Sequence, residues 1–131
     1  MKKILITGGL GYIGTELSKL YSGLSWKYQV LVLDNRFVSE RVNELKRRKI
    51  KFIQADILNF EAIEPFIKDA DIVHHLAGVT DVAYVKKEMD KEKDDLTIRT
   101  AVEGTSNVLK AMNKNAKIIF PSTHVVFEGL K

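Results

Sequence analysis

The first residues in the chain whose types and spacing suit chemistry are Thr7-Gly8-Gly9-Leu10-Gly11-Tyr12-Ile13-Gly14. An apolar run leads into this string and a helical pattern leads out of it, the context in which a glycine-rich loop holds a diphosphate. Gly8 suits a tight turn, Gly11 lets main chain approach a pyrophosphate with no Cβ in the way, and Gly14 permits close packing of helix on sheet. Unpaired amides at the start of the following helix, and the partial positive charge there, attract an anion without help from a lysine. A Walker loop would need Gly-Lys-Ser/Thr, which is missing.

Asp34 follows Gly14 by 20 residues, at the end of the second apolar run, where a carboxylate accepts hydrogen bonds from an adenosine ribose. That carboxylate favours NAD over NADP because it repels a 2′-phosphate, although Arg36 nearby could partly offset the repulsion. Asp56 and Gly78 fall at the ends of the third and fourth runs, on the sheet edge where open α/β sheets bind ligands. Viewed alone, Asp56 could cap a turn and Gly78 could relieve the backbone.

The elements that must position these residues follow from the hydrophobic pattern. Five short apolar runs, at 3–7, 29–34, 51–54, 72–76 and 117–121, are expected to be strands buried on both faces. Helical patterns lie between them at 12–22, 39–49 and 59–67, and a longer one ends near 113, with Val102, Ser106, Leu109 and Met112 at helical spacing. Strand and helix alternate, so right-handed crossovers give an α/β, doubly wound parallel sheet in the order 3-2-1-4-5. A chain of 131 residues supports one domain, and no repeat or Gly/Ser-rich linker marks a boundary.

Composition narrows the function classes. Lys plus Arg number 21 and Asp plus Glu 17, a net +4 too small and too interspersed to suggest nucleic acid or a membrane surface. The basic triplet Arg47-Arg48-Lys49 closes an expected helix, where cations complement the C-terminal partial charge. The absence of cysteine removes disulfides, thiolate metal sites and cysteine nucleophiles, and a reducing, cytoplasmic location fits. His74 and His75 are adjacent on an expected strand and point to opposite faces, so they are read as packing residues and no metal site is expected.

These segments resemble the extended short-chain dehydrogenase/reductase family, specifically the NAD-dependent epimerases and dehydratases of nucleotide sugars, with their Thr-Gly-x-x-Gly-x-x-Gly loop. Leu33-Asp34-Asn35, Ala55-Asp56-Ile57, His75-Leu76-Ala77-Gly78 and Val102-Glu103-Gly104-Thr105-Ser106-Asn107-Val108-Leu109 are similar to family segments and stand in family order. The resemblance implies that Gly8, Gly11 and Gly14, with Tyr12 and Ile13 between them, bind the pyrophosphate. It further implies Asp34 and Asn35 at the adenosine ribose, Asp56 and Ile57 at the adenine, and Leu76, Ala77 and Gly78 on the nicotinamide side.

Pro121-Ser122-Thr123-His124-Val125-Val126-Phe127 is similar to the family's Ser-Ser-x-x-Val-Tyr segment and puts Thr123 at the catalytic hydroxyl position. There it would steady charge at the sugar oxygen during hydride transfer; the plainer alternative is a hydroxyl that caps a strand-end turn. The family also uses a tyrosine followed four residues later by a lysine. Tyr12, Tyr21, Tyr28 and Tyr84 are followed at that spacing by Glu16, Ser25, Val32 and Glu88, and Tyr84 with Lys87 is a poor substitute. Ala101 stands where the family usually carries asparagine, and His124 is read as a loop residue.

Residues 1–131 are therefore expected to be a dinucleotide-binding domain without the family's Tyr/Lys pair and substrate-binding portion, inactive alone and using a nucleotide sugar only where that portion is present. The alternative is a non-catalytic NAD-binding or sensing module that assembles with a partner chain. The fifth strand is expected at a sheet edge with apolar Val125, Val126 and Phe127 beyond it, which predicts self-association or a partner chain there.

Overall fold

The computed structural model describes residues 1–79 and 91–122. In chain order these form β1 (Lys2–Thr7), α1 (Tyr12–Ser22), β2 (Tyr28–Asp34), α2 (Ser39–Arg47), β3 (Lys51–Gln54), α3 (Phe60–Ile67), β4 (Ile72–His75), α4 (Lys91–Arg99), a π-helical segment (Thr100–Gly104), α5 (Thr105–Ala111) and β5 (Lys117–Ile119). All strand pairs are parallel, and the order is β3-β2-β1-β4-β5, as the alternation of elements requires.

Strand alternation divides the core in two. Leu5, Leu33 and Val73 point to one face, where Ile63 and Ile67 of α3 and Val108 and Ala111 of α5 close over them. Ile4, Ile6, Val30 and Val32 point to the other, against Val42 and Leu45 of α2 and Leu10 of the first loop. β1 lies at the centre, buried from Ile4 to Thr7, so the loop that follows it emerges from the most rigid part of the sheet.

Four expectations need correction. β3 and β5, the edge strands that the expected order already implied, are not buried on both faces: Lys51, Gln54, Lys117 and Ile119 are exposed. β4 and β5 stop at His75 and Ile119 rather than running to 76 and 121; Phe120 instead stacks on His75, with ring centroids 5.6 Å apart. The second helix ends at Arg47 rather than 49, because Lys49 turns into the left-handed region (φ 58°) and Ile50 N donates back to Leu45 O. The long helix carries a π segment, which breaks the 3.6-residue period. Val102 and Leu109 point outward, and it is Gly104, Val108 and Ala111, on another stripe of the same helix, that face the core.

Arg47 and Arg48 of the basic triplet both pair with Glu44 of their own helix, at 3.3 and 2.8 Å. No helix among the described residues is long and apolar enough to cross a membrane.

Candidate functional site

Gly8 leaves β1 with φ 65°, a conformation that disfavours any side chain, and a Cβ there would lie 2.7 Å from the main chain of Ala77. The first loop is thus pressed against the end of β4. A Cβ on Gly14 would meet main chain too, but that of Gly9, at 2.5 Å, and one on Gly9 would lie 2.4 Å from the Val32 side chain of β2. Helix-on-sheet packing therefore passes through Gly9, which sequence reasoning did not single out, with Gly14 seated on it. Gly11 differs from both: it has an ordinary φ of −74° as the N-cap of α1, and a Cβ there would meet only Gly8 O, at 3.2 Å. Its N-cap Gly11 has no side chain to cap α1, and the first backward bond of the helix runs from Thr15 N to Gly11 O, 3.0 Å. The amides before Thr15 are those a helix leaves for a ligand.

The ends of β1, β2 and β4, with the loop after β3, enclose a cleft of about 600 Å³, a size typical of small-molecule sites. Gly8, Gly11, Asp34, Asn35, Asp56, Ile57, Leu76, Ala77 and Gly78 all line it. Tyr12 and Ile13 do not; their side chains are exposed on the first turn of α1, so any contribution to a ligand is through their amides. Gly14 lies outside the lining as well. Leu96 of α4 and Thr100 of the π segment line the cleft and were missed by sequence reasoning, since only the crossover of the long helix brings them there. Thr123, Tyr84 and His124 lie outside the described residues.

Each acidic residue of the cleft is already engaged. Asp34, with a side chain only 3% exposed, accepts from Leu10 N at 3.0 Å and from Arg36 N at 3.0 Å, and its carboxylate also holds the Arg36 guanidinium. Asp56 Oδ1 accepts from Leu58 N at 2.9 Å, a local turn that leads into α3. Ile57 is fixed from the long helix: Asn107 Nδ2 donates to its carbonyl at 2.9 Å, and its side chain fills the space left by Gly104.

Behind the cleft lies a polar network that sequence reasoning also missed. Thr7 Oγ1 accepts from Leu76 N and Ala77 N, both at 3.2 Å, and lies 2.7 Å from His75 Nδ1. With its acceptor capacity used by those amides, the hydroxyl donates its proton to Nδ1, which leaves Nε2–H to donate to Thr105 Oγ1 at 2.9 Å. This assignment makes His75 neutral, and burial accordingly pushes its pKa below the usual histidine value. The network ties β1, β4 and α5 together beneath the cleft. His74 points to the opposite face, where it pairs with Tyr21 Oη at 2.8 Å; burial lowers its pKa too.

The cleft thus combines a main-chain anion cradle, a carboxylate at the end of the neighbouring strand and an apolar slot. A dinucleotide needs the same three features at the same strand ends. A model of the NAD-dependent epimerase/dehydratase family matches residues 4–130. The chain belongs to that family. It is 32% identical over 128 residues to a UDP-N-acetyl-alpha-D-glucosaminuronate decarboxylase of Bacillus cytotoxicus, covering 96% of this chain and 38% of that protein. It is 34% identical over 136 residues to a UDP-glucose 4-epimerase of Bacillus subtilis, covering 95% and 37%. Among solved structures, the UDP-glucose 4-epimerase of Brucella ovis in complex with NAD superposes with a TM-score of 0.77 at 25% identity, over 98% of this chain and 38% of that one. This epimerase/dehydratase family chain spans a little over a third of the length of each of these relatives.

Proposed function

We propose that residues 1–131 are the dinucleotide-binding portion of a nucleotide-sugar epimerase or dehydratase, and that they bind NAD. The observation that carries this reading is the loop from Gly8 to Gly14, which opens a helix whose N-cap is a glycine beside the Asp34 carboxylate, on the wall of a cleft of about 600 Å³. In this reading the amides at the start of α1 hold the pyrophosphate, and Asp34 with Asn35 takes the adenosine ribose. Asp56 and Ile57 border the adenine, and Leu76, Ala77 and Gly78 border the nicotinamide. Bound NAD supplies the hydride acceptor and donor for a sugar carbon.

Thr123 is proposed to hydrogen-bond the sugar oxygen at that carbon. No tyrosine in the chain has a lysine four residues on, so these residues are proposed to bind coenzyme without turnover. General acid–base catalysis is worth roughly 10²–10⁴-fold, and its loss alone is enough to silence the reaction. Calorimetric titration with NAD, alongside an assay on UDP- and dTDP-hexoses, tests both parts. Micromolar to sub-millimolar binding without turnover is expected; absence of binding, or turnover at rates usual for whole enzymes, contradicts the reading.

A second reading has one observation in its favour. Among the described residues β5 is a short edge strand, and Ile119 on it and Phe120 just after it are exposed. A non-catalytic NAD-binding module would use such an edge to meet a partner chain that supplies the tyrosine and lysine. Light scattering that shows a strict monomer at high concentration, with no second polypeptide co-purifying, counts against this version.

A further inference from the structure

A net charge of +4 gives no reason to expect a lipid surface, but the fold does not spread that charge evenly. Three stretches meet at the ends of β1 and β2 opposite the cleft: residues 1–2, residues 19–28 and residues 46–49. Lys2 N donates to Lys27 O at 3.0 Å, joining the first to the second, and Arg48 Nη1 donates to Ser22 Oγ at 3.2 Å, joining the second to the third. Together they carry Lys2, Lys19, Lys27, Lys46, Arg47, Arg48 and Lys49 and no acidic residue. Glu16 pairs with Lys19, and Glu44 with Arg47 and Arg48. Seven cations less these two anions leave +5 at this corner, against +4 for the whole chain.

The same corner carries large apolar side chains that point into water. Leu20, in the last turn of α1, is 70% exposed, Trp26 76% and Leu24 41%. They do not sit on a loose loop. Gly23 N and Leu24 N donate to Leu20 O and Tyr21 O, and Lys27 N and Tyr28 N both donate to Leu24 O, so the turn from α1 to β2 is fixed by its own main chain. Cations at helix ends complement the helix dipole, which accounts for Lys19, Lys46 and Arg47. The dipole accounts neither for Lys2 and Lys27, which lie outside helices, nor for an outward tryptophan.

We propose that this corner docks the protein on an anionic lipid surface, with Leu20, Leu24 and Trp26 entering the headgroup layer and the surrounding lysines and arginines facing lipid phosphates. Indole is an apolar body with one N–H, a side chain suited to the boundary between hydrocarbon and water. Apolar burial and attraction to acidic lipids act together, and each lysine or arginine near such a surface strengthens binding about five-fold. Shape favours lipid over a folded partner. Leu20, Leu24 and Trp26 line neither the cleft nor the small hollow between α1 and α2, and a bilayer accepts a convex knob where a protein would have to supply a matching hollow. Docked this way the protein turns its cleft to solution, so this proposal stands or falls apart from the coenzyme reading.

Co-sedimentation with phosphatidylcholine vesicles, with and without phosphatidylglycerol, tests the corner, and Trp26, the one tryptophan of the sequence, reports on its own surroundings by fluorescence. Binding to the acidic vesicles is expected to be about ten-fold or more tighter than to the neutral ones, weakened by salt and accompanied by a blue shift of Trp26 emission. Reversing two charges together, Lys2→Glu and Lys27→Glu, is expected to weaken it by about ten-fold or more. Trp26→Ser is expected to weaken sedimentation about ten-fold, and an unchanged Tm is expected in both variants because these side chains are exposed. Arg99→Glu reverses a charge beside Thr100 at the cleft end and is expected to stay within about two-fold of wild type. No sedimentation with acidic vesicles, sedimentation without a blue shift, or an equal loss in Arg99→Glu overturns the docking surface. A blue shift produced by an acidic polypeptide or a nucleic acid but not by vesicles also overturns it. NAD affinity is expected to be the same with and without vesicles; a loss on vesicles would place the contact at the cleft instead and contradict the corner.

Discussion

A carbon added to Gly8 or Gly14 would lie 2.7 or 2.5 Å from main chain, whereas one added to Gly78, at the neighbouring strand end, would have nothing among the described residues within 4 Å. Both regions line or border the same cleft, yet they are built on different terms. The loop after β1 is a close-packed assembly of backbone against backbone, locked from below by Thr7 and His75. The segment after β4 is open, and its glycine is spared for whatever enters. Under the proposed coenzyme reading, fixing the diphosphate needs rigid amides while the reacting end needs room, and the contrast between these glycines would follow that division.

The largest effect that would break this contrast is on folding. Gly14→Val forces the Gly9 main chain to move and should cost about 3 kcal/mol or more, seen as a collapse of Tm. Gly11→Val should behave oppositely, because Gly11 has an ordinary φ and meets only Gly8 O. It should keep a near-native melting curve and bind NAD at least about 100-fold more weakly by calorimetry, a loss of about 2.7 kcal/mol. If Gly11→Val unfolds and Gly14→Val does not, the division of labour within the loop is wrong.

Thr7→Val sharpens the account of what locks the loop. It preserves shape and removes an oxygen that serves Leu76 N, Ala77 N and His75 Nδ1, so a loss of about 2–3 kcal/mol in urea denaturation is expected. A smaller effect concerns pH. His75 and His74 are held below the ordinary histidine value of about 6.5 by burial, so the unfolded chain takes up protons first as pH falls. Stability should be level above roughly pH 6.5 and decline below it, and His75→Gln should flatten part of that decline. Gly78→Ala should be the mildest change, within about 0.5 kcal/mol of wild type in urea, since the added methyl meets no atom of the described residues.

Much of the fold was legible in the sequence because strands of a doubly wound sheet are short apolar runs and crossovers have one hand. The runs ending at Thr7 and Asp34 stop where β1 and β2 stop. Legibility failed where a local signal was overruled at a distance. The spacing of Val102 and Leu109 suggested a buried stripe, but the helix turns the stripe of Gly104, Val108 and Ala111 to the core, where Gly104 leaves room for Ile57. β3 and β5 read as buried on both faces from their composition, although the expected strand order, which the sheet follows, already puts them at its edges.

The candidate site divides in the same way. Glycine spacing and the Gly14-to-Asp34 interval depend on chain geometry and can be read along the sequence. The role of Gly9 depends on Val32, the grip of Thr7 depends on a histidine 68 residues away, and the guanidinium over Asp34 depends on a rotamer. None of these has a linear signature. Leu96 and Thr100 reach the cleft only because the long helix crosses the sheet there.

The claim on which the rest depends is that main-chain amides between Gly8 and Gly14 receive the diphosphate of a dinucleotide. A two-dimensional ¹⁵N NMR titration with NAD tests it at the atoms concerned. The amides of Gly8, Gly9, Gly11, Tyr12 and Ile13 should show the largest shifts, followed by Asn35, Ile57 and Gly78, with those of α2 and β5 unmoved. Saturation with NAD that leaves residues 8–14 unshifted, or moves only signals elsewhere in the chain, would contradict the account.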